Sequence, residues 1–151
     1  MASILVVDDE PGVRSSISGV LRDEGFDVDT AETGEECLEK ANSAAYDVIV
    51  LDIWMPGLDG LTTLQRLRER AIDAQVVIIS GHGNIESAVR AIKMGAYDFI
   101  EKPLSLEKTV LVVRHALRQR DLEAENVQLK KLLAESLLDA QALKVALGRK
   151  H

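Results

Sequence analysis

The sequence predicts a doubly wound α/β domain built on a parallel sheet, and three observations lead there. Short Val/Ile/Leu runs alternate with helical patterns from Met1 to about Arg120. The runs are apolar almost throughout, as strands covered on both faces are. Four of them end in, or lead straight to, polar or charged residues, which places chemistry at the carboxyl ends of the strands, where open α/β sheets build their sites.

The first run, Ile4-Leu5-Val6-Val7, ends in Asp8-Asp9. Val13, Ile17, Val20 and Leu21 then recur at helical spacing, opened by Pro11 and closed by Gly25. Phe26-Asp27-Val28-Asp29-Thr30 alternates apolar and polar side chains, as a half-exposed edge strand does. A helix from Glu35 to about Ser43 leads into Asp47-Val48-Ile49-Val50-Leu51-Asp52, which breaks at Met55-Pro56-Gly57. Leu61, Leu64 and Leu67 mark a third helix, entered through Asp59-Gly60. Val76-Val77-Ile78-Ile79 ends in Ser80, and Ile85, Ala88, Val89 and Ile92 mark a fourth helix that stops at Gly95. The fifth run, near Tyr97 to Ile100, leads to Lys102-Pro103. Ser105 suits the N-cap of the last helix. Lys108 stands where a full capping box wants an acid or amide, while Glu107 in the first turn suits the helix dipole. With right-handed crossovers, five units of this size fit the flavodoxin-like strand order 2-1-3-4-5.

Bulk properties narrow the function. The chain's 151 residues hold one ordinary domain and a modest extension. A composition 46% hydrophobic and 28% charged is that of a soluble globular protein. The net charge of −7 argues against nonspecific nucleic-acid binding by this chain. The single Cys37 excludes an internal disulfide framework and a Cys-based zinc site, and in a helical pattern it reads as a packing or surface thiol. No apolar stretch approaches the roughly 18 residues of a membrane span, and the N-terminus lacks a basic segment followed by a long apolar region. A cytoplasmic location is expected.

The expected domain covers residues 1–120, followed by a helical linker over 121–151. From Leu106 to about Leu147 there is neither Pro nor Gly, a run of roughly 60 Å at about 1.5 Å per residue. With Leu122 at heptad d, Asn126 falls at a, Leu129 at d, Leu133 at a, Ser136 at d, Ala140 at a, Leu143 at d and Leu147 at a. That seam predicts a parallel dimeric coiled coil, with Asn126 fixing register and weak steps at Ser136 and Ala140. A helix folded back on its own domain, or a frayed tail, is the alternative.

If the runs are parallel neighbours, Asp8, Asp9 and Asp52 converge with Ser80 and Lys102 in one pocket. Two unit negative charges about 4 Å apart repel by roughly 4 kcal/mol at an effective dielectric of about 20. Three crowded carboxylates therefore need a cation or must take up protons. An all-oxygen site favours a hard ion, and Mg2+ needs only a few protein oxygens. The set suits phosphoryl transfer to a carboxylate. One Asp attacks phosphorus, the metal offsets charge on the transferring oxygens, Lys102 neutralises another oxygen, and Ser80 donates to the attached group. Singly, each residue has a plainer explanation as a helix cap, a loop hydroxyl or a surface charge. Their joint position at strand ends carries the argument.

Val6-Val7-Asp8-Asp9-Glu10, Leu51-Asp52-Ile53-Trp54-Met55-Pro56-Gly57-Leu58-Asp59-Gly60, Ile79-Ser80-Gly81-His82-Gly83 and Gly95-Ala96-Tyr97-Asp98-Phe99-Ile100-Glu101-Lys102-Pro103 together resemble a bacterial response-regulator receiver domain over about residues 1–120. The resemblance implies that Asp52 is phosphorylated by a partner histidine kinase. It implies Mg2+ held by Asp8, Asp9, Asp52 and the backbone carbonyl of Trp54, with Lys102 and Ser80 on the phosphoryl group. It also implies a cis Lys102-Pro103 bond and a switch in which Ser80 moves toward the phosphoryl group while Phe99 turns inward, with Tyr97 as the nearby runner-up. Trp54 and His82, two residues after Asp52 and Ser80, are placed to govern how easily water reaches the acyl phosphate. The Ser80–Gly83 and Gly95–Phe99 segments are most similar to the nitrogen-regulation (NtrC/NtrX-type) branch, whose members couple a receiver to an ATPase and a DNA-binding helix-turn-helix. Residues 121–151 can make neither. A receiver with its linker, cut from a longer transcription regulator, is expected, and a stand-alone receiver with a dimerising tail is the alternative.

Three rivals are weaker. A haloacid-dehalogenase-type phosphatase places its nucleophile in an Asp-x-Asp motif, whereas Asp8 and Asp9 are adjacent. A nucleotide or flavin module wants G-x-G-x-x-G after a strand, and none follows. A phosphorylation-independent interaction domain would not need a complete acidic site. The expected protein thus accepts a phosphoryl group without being a turnover enzyme. It acts as a homodimer through receiver and coiled coil, and itself binds neither nucleic acid nor membrane.

Overall fold

The computed structural model describes the backbone of residues 1–81 and 84–148, and side chains as far as residue 138. His82 and the side chains of the predicted seam positions Ala140, Leu143 and Leu147 lie outside the described residues. The chain divides into two compact units, Met1–Leu117 and a second from Arg118 onward.

Strands and helices alternate as the sequence predicts: β1 (Ser3–Val7), α1 (Pro11–Asp23), β2 (Asp27–Ala31), α2 (Gly34–Ser43), β3 (Val48–Asp52), α3 (Gly60–Glu69), β4 (Gln75–Ser80), α4 (Ile85–Lys93), β5 (Asp98–Glu101) and α5 (Leu106–Gly148). All neighbouring strands pair in parallel, in the order β2-β1-β3-β4-β5. This is the flavodoxin-like order 2-1-3-4-5. Val7 lies opposite Leu51, Asp52 opposite Ile79, and Ser80 opposite Glu101, so the carboxyl ends of the strands are level.

Alternation along each strand explains why the runs are apolar throughout. Leu5, Val7, Ile49, Leu51, Val76 and Ile78 join Cys37 and Leu38 of α2 and Leu64 and Leu67 of α3 in one core. Ile4, Val6, Val48, Val50, Val77 and Ile79 point the other way, onto Ile17 and Leu21 of α1 and Val112, Val113 and Ala116 of α5. Each fully buried aliphatic side chain contributes about 1.5–3 kcal/mol, so two covered faces are the main source of stability.

Helix starts follow local chemistry. Asp59 Oδ1 accepts from Thr62 N (2.8 Å) and Ser105 Oγ from Lys108 N (3.3 Å), capping α3 and α5 at the residues the sequence marks. Thr33 Oγ1 caps α2 by accepting from Glu36 N at 3.1 Å. Boundaries shift slightly: β2 and β5 each begin one residue later than their apolar patterns suggest. Cys37 is buried, which settles its role as packing. The larger departure is α4. Its buried residues are Ala88 and Ala91, while Ile85, Val89 and Ile92 are 57%, 43% and 40% exposed. Small alanines turn toward the sheet, and the bulkier side chains that mark the helix in sequence face outward.

In the second unit α5 continues as helix, and the predicted seam residues Leu122, Leu129 and Leu133 are exposed. Asn126 is also exposed. Val127, Leu132, Leu137 and Leu138 are equally open, so the apolar surface is wider than the predicted a/d stripe. Among the described residues no helix is long and apolar enough to cross a membrane.

Candidate functional site

Parallel strands deliver their last residues to one edge. Asp8 follows β1, Asp52 ends β3, Ser80 ends β4 and Lys102 follows β5. One carboxylate oxygen from each of Asp8, Asp9 and Asp52 lies within 4.8 Å of the other two. Asp8 and Asp52 are 0% and 2% exposed, and Asp9 is more open to solvent. Lys102 Nζ stands 3.4 Å from Asp52 Oδ2, 3.9 Å from Asp8 Oδ2 and 3.4 Å from Glu10 Oε1. The structure thus gathers Asp8, Asp9, Asp52 and Lys102, and it places Ser80 at the same edge as the last residue of β4. Glu10 joins them unforeseen.

The backbone holds these groups in place. Asp8 Oδ1 accepts from Glu10 N at 2.9 Å, and the Asp8 carbonyl accepts from Arg14 Nη1 at 2.7 Å. Asp52 Oδ1 accepts from Trp54 N at 3.3 Å. Lys102 N donates to the Ser80 carbonyl at 2.8 Å, and the Lys102-Pro103 bond is cis, as the resemblance implies. Behind Asp52, α3 starts so close that a Cβ at Gly60 would overlap the Asp52 carbonyl and approach Ile53 Cα to 2.6 Å. Only glycine fits that position.

Polar atoms at this edge are left unsatisfied. Asp8 Oδ2 and Ser80 Oγ are buried and have no hydrogen-bond partner. Burial, then the Asp8 charge, pushes the Asp52 carboxyl up to about 6, against the opposing pull of Lys102 and the Trp54 N–H. Burial likewise raises Asp8, outweighing its Glu10 hydrogen bond and the nearby Lys102. For Lys102, burial disfavours the charge, but Asp52, Asp8 and Glu10 together outweigh it and hold the ammonium above its usual range. One ammonium faces several acids. An all-carboxylate oxygen set with a buried Asp8 oxygen that no hydrogen bond satisfies fits a hard divalent cation.

The remaining predicted residues are less engaged. Phe99 is half-buried against the core on the α2–α3 face, whereas Tyr97 packs on the opposite face. Trp54 is 62% exposed, so the expected shielding side chain stands mostly in solvent. Beside the acidic cluster a cleft of about 540 Å³ opens between Glu10 and Val13 on one side and Lys102, Pro103 and Leu104 on the other.

Residues 4–114 match the response regulator receiver domain family. The nitrogen assimilation regulatory protein NtrX of Azorhizobium caulinodans is 44% identical over 131 residues, covering 85% of this chain and 29% of that protein. An NtrX-like putative response regulator of Rickettsia bellii is 42% identical over 132 residues, 86% of this chain and 28% of its own length. The chain therefore spans under a third of these curated relatives. Among solved structures, the receiver domain of NtrX from Brucella abortus superposes with a TM-score of 0.73 at 47% identity, covering 76% of this chain and 98% of that one. The beryllofluoride-activated NtrC4 receiver domain dimer gives 0.75 at 44% identity, covering 80% and 99%.

Proposed function

The chain belongs to the response regulator receiver domain family, and from that premise we propose that it is the phospho-accepting receiver of a two-component system, with Asp52 as the acceptor. The observation that carries this reading is the acidic edge itself. Three carboxylates lie within 4.8 Å of one another, and one carboxylate oxygen and the Ser80 hydroxyl are buried without hydrogen-bond partners. Such an arrangement is poorly satisfied alone and well suited to a cation and a phosphoryl group.

Asp8, Asp9 and Asp52, with the Trp54 carbonyl, are the residues that would hold Mg2+, which supplies positive charge beside the transferring oxygens. Asp52 provides the attacking oxygen. A bond forms from this oxygen to phosphorus as the phosphorus–nitrogen bond of a kinase phosphohistidine breaks, and the imidazole keeps the electron pair. Lys102, already 3.4 Å from Asp52 Oδ2, neutralises charge on the transferred group. Ser80 offers the hydrogen bond that its hydroxyl lacks.

Attachment adds about −1.5 to −2 charges and three acceptor oxygens at Asp52. Ser80 turns toward them, Phe99 fills the space released, and the loop after Ser80 and α4 take up the change. A two-state switch of this kind needs several kcal/mol of differential stabilisation. The partners are a cognate sensor histidine kinase upstream and a second copy of the chain, the latter supported by the dimeric state of the similar NtrC4 receiver. The exposed Leu122, Leu129 and Leu133, with Asn126, form the near half of a coiled-coil seam whose heptad pattern runs on in the sequence to Leu143 and Leu147. Similarity to regulators about three times as long supports a downstream transcription-activating ATPase beyond this chain. The receiver works in the cytoplasm and is no turnover enzyme. A stand-alone receiver acting by protein contacts is the second reading.

Incubation with acetyl phosphate and Mg2+, followed by intact mass spectrometry, tests the proposal. One phosphoryl group is expected on the parent and none on Asp52→Asn or in EDTA; equal labelling of the variant overturns it. Sedimentation with beryllofluoride, before and after deletion of residues 122–151, tests the seam, which fails if deletion leaves assembly unchanged.

A further inference from the structure

Helix α1 carries two stripes. Ile17 and Leu21 enter the core, while Arg14, Ser15, Ser18 and Arg22 turn toward Thr30 of the edge strand β2. These five residues and Pro11 line a pocket of about 230 Å³ that the acidic site does not use. That is several times the roughly 30 Å³ share of a liquid water. The lining residues are two arginines, two serines, a threonine and a proline.

Ser18 is the second observation. It is 2% exposed, and its hydroxyl has no hydrogen-bond partner. A serine inside a helix ordinarily bonds back to the carbonyl four residues earlier; this one does not, and buried hydroxyls without partners are rare. The arginines also have donors to spare. Arg14, with a side chain 14% exposed, gives Nη1 to the Asp8 carbonyl at 2.7 Å and Nη2 to Glu32 Oε1 at 3.4 Å. Arg22 gives Nη2 to the Val28 carbonyl at 3.0 Å. Each guanidinium has five N–H donors, so both retain several.

The chemistry selects the ligand. Two guanidinium forks repel cations, and a polar lining gives an apolar molecule nothing to bury against. A tetrahedral oxyanion suits planar Arg forks backed by hydroxyls. Glu32 is the acid in contact: its carboxylate meets Arg14 at a long 3.4 Å while 69% exposed, so it is readily displaced. Lys40, Asp29 and Glu36 form their own ion pairs, with Lys40 also donating to the Thr30 carbonyl.

We propose that the pocket between α1 and β2 is a second site, separate from the acidic edge, that binds phosphate as the free inorganic ion or as the phosphate group of a small metabolite. Arg14 serves both places, because its other nitrogen holds the carbonyl of Asp8. Occupancy is thus one side chain away from the acidic cluster.

Titrating the full chain with sodium phosphate in EDTA, at ionic strength balanced with chloride and read by amide NMR, tests the site. Saturable shifts are expected at Arg14, Ser15, Ser18 and Thr30. Arg22→Gln should weaken binding about tenfold by removing charge-assisted donors. Glu32→Gln should tighten it by about threefold by removing the competing carboxylate. Ser18→Ala keeps the fold, since it removes an unpartnered hydroxyl, and should also weaken binding. Parallel titration with glycerol 3-phosphate separates the sources: the tighter of the two names the form preferred. Shifts that fail to saturate, that match those in chloride, or that persist unchanged in both Arg22→Gln and Ser18→Ala mean an adventitious ion only and overturn the site.

Discussion

The two ends of the sheet treat charge in opposite ways. At the amino ends of the strands, Asp47 Oδ2 accepts from Ser3 N at 2.8 Å. There the half-buried Arg68 gives its guanidinium to three carbonyls, those of Ile72 (3.3 Å), Ala74 (3.1 Å) and Gly95 (2.8 Å). Each of these charges is bound into loop backbone. At the carboxyl ends, Asp8 and Asp52 are buried beside each other with one shared ammonium, and a carboxylate oxygen and a hydroxyl go without hydrogen bonds. Both ends belong to the same packed layers. One end spends its polar groups on holding loops, and the other leaves them unsatisfied.

Substitutions at the two ends should therefore move stability in opposite directions. The largest effect is expected of Arg68→Ala, which frees three carbonyls and should lower the unfolding free energy by about 3 kcal/mol in urea titrations. Next comes Asp52→Asn, which should raise the stability of the metal-free protein by roughly 2–3 kcal/mol at neutral pH. The figure follows from a carboxyl shifted from 3.8 to about 6, at about 1.36 kcal/mol per unit. Because the folded acid is the weaker one, the unfolded chain releases its proton first. Metal-free stability attributable to Asp52 therefore falls as pH rises from about 4 to about 6 and is level above. Parent-minus-variant unfolding curves should show that slope, together with the altered titration of Asp8 once its charged neighbour is gone.

Smaller effects sharpen the contrast. Asp59→Ala removes the cap of α3, whose first turn packs on the Asp52 carbonyl, and should lower stability by about 1 kcal/mol. Ser80→Ala discards a buried hydroxyl with no partner, so its stability should change by less than about 1 kcal/mol. The lifetime of any attached phosphoryl group, followed by mass spectrometry, should nevertheless shorten.

The acidic edge was readable in the sequence because strand ends are set by local pattern, and parallel pairing then brings Asp8, Asp52, Ser80 and Lys102 to one side without further information. Apart from Lys102, the reach of long side chains was not readable. The head groups of Glu10, Arg14 and Arg68 reach backbone or charge several residues away, along paths fixed only by the packed neighbours. The cap at Thr33 did have a signal, since Glu36 follows three residues on. Helix α4 misled because apolar spacing marks a helix without saying which face turns inward; there the alanines decide. The wide apolar surface of Leu132, Leu137 and Leu138 escaped a strict heptad reading for the same reason.

The central claim is that the carboxyl edge is strained by its own charges and relieved by a ligand. Urea unfolding of parent and Asp52→Asn, each in EDTA and in saturating Mg2+, tests it most directly. The account predicts that the substitution stabilises the protein in EDTA, and that Mg2+ stabilises the parent by more than the variant. A variant less stable than the parent in EDTA, with an equal response to Mg2+, would contradict it.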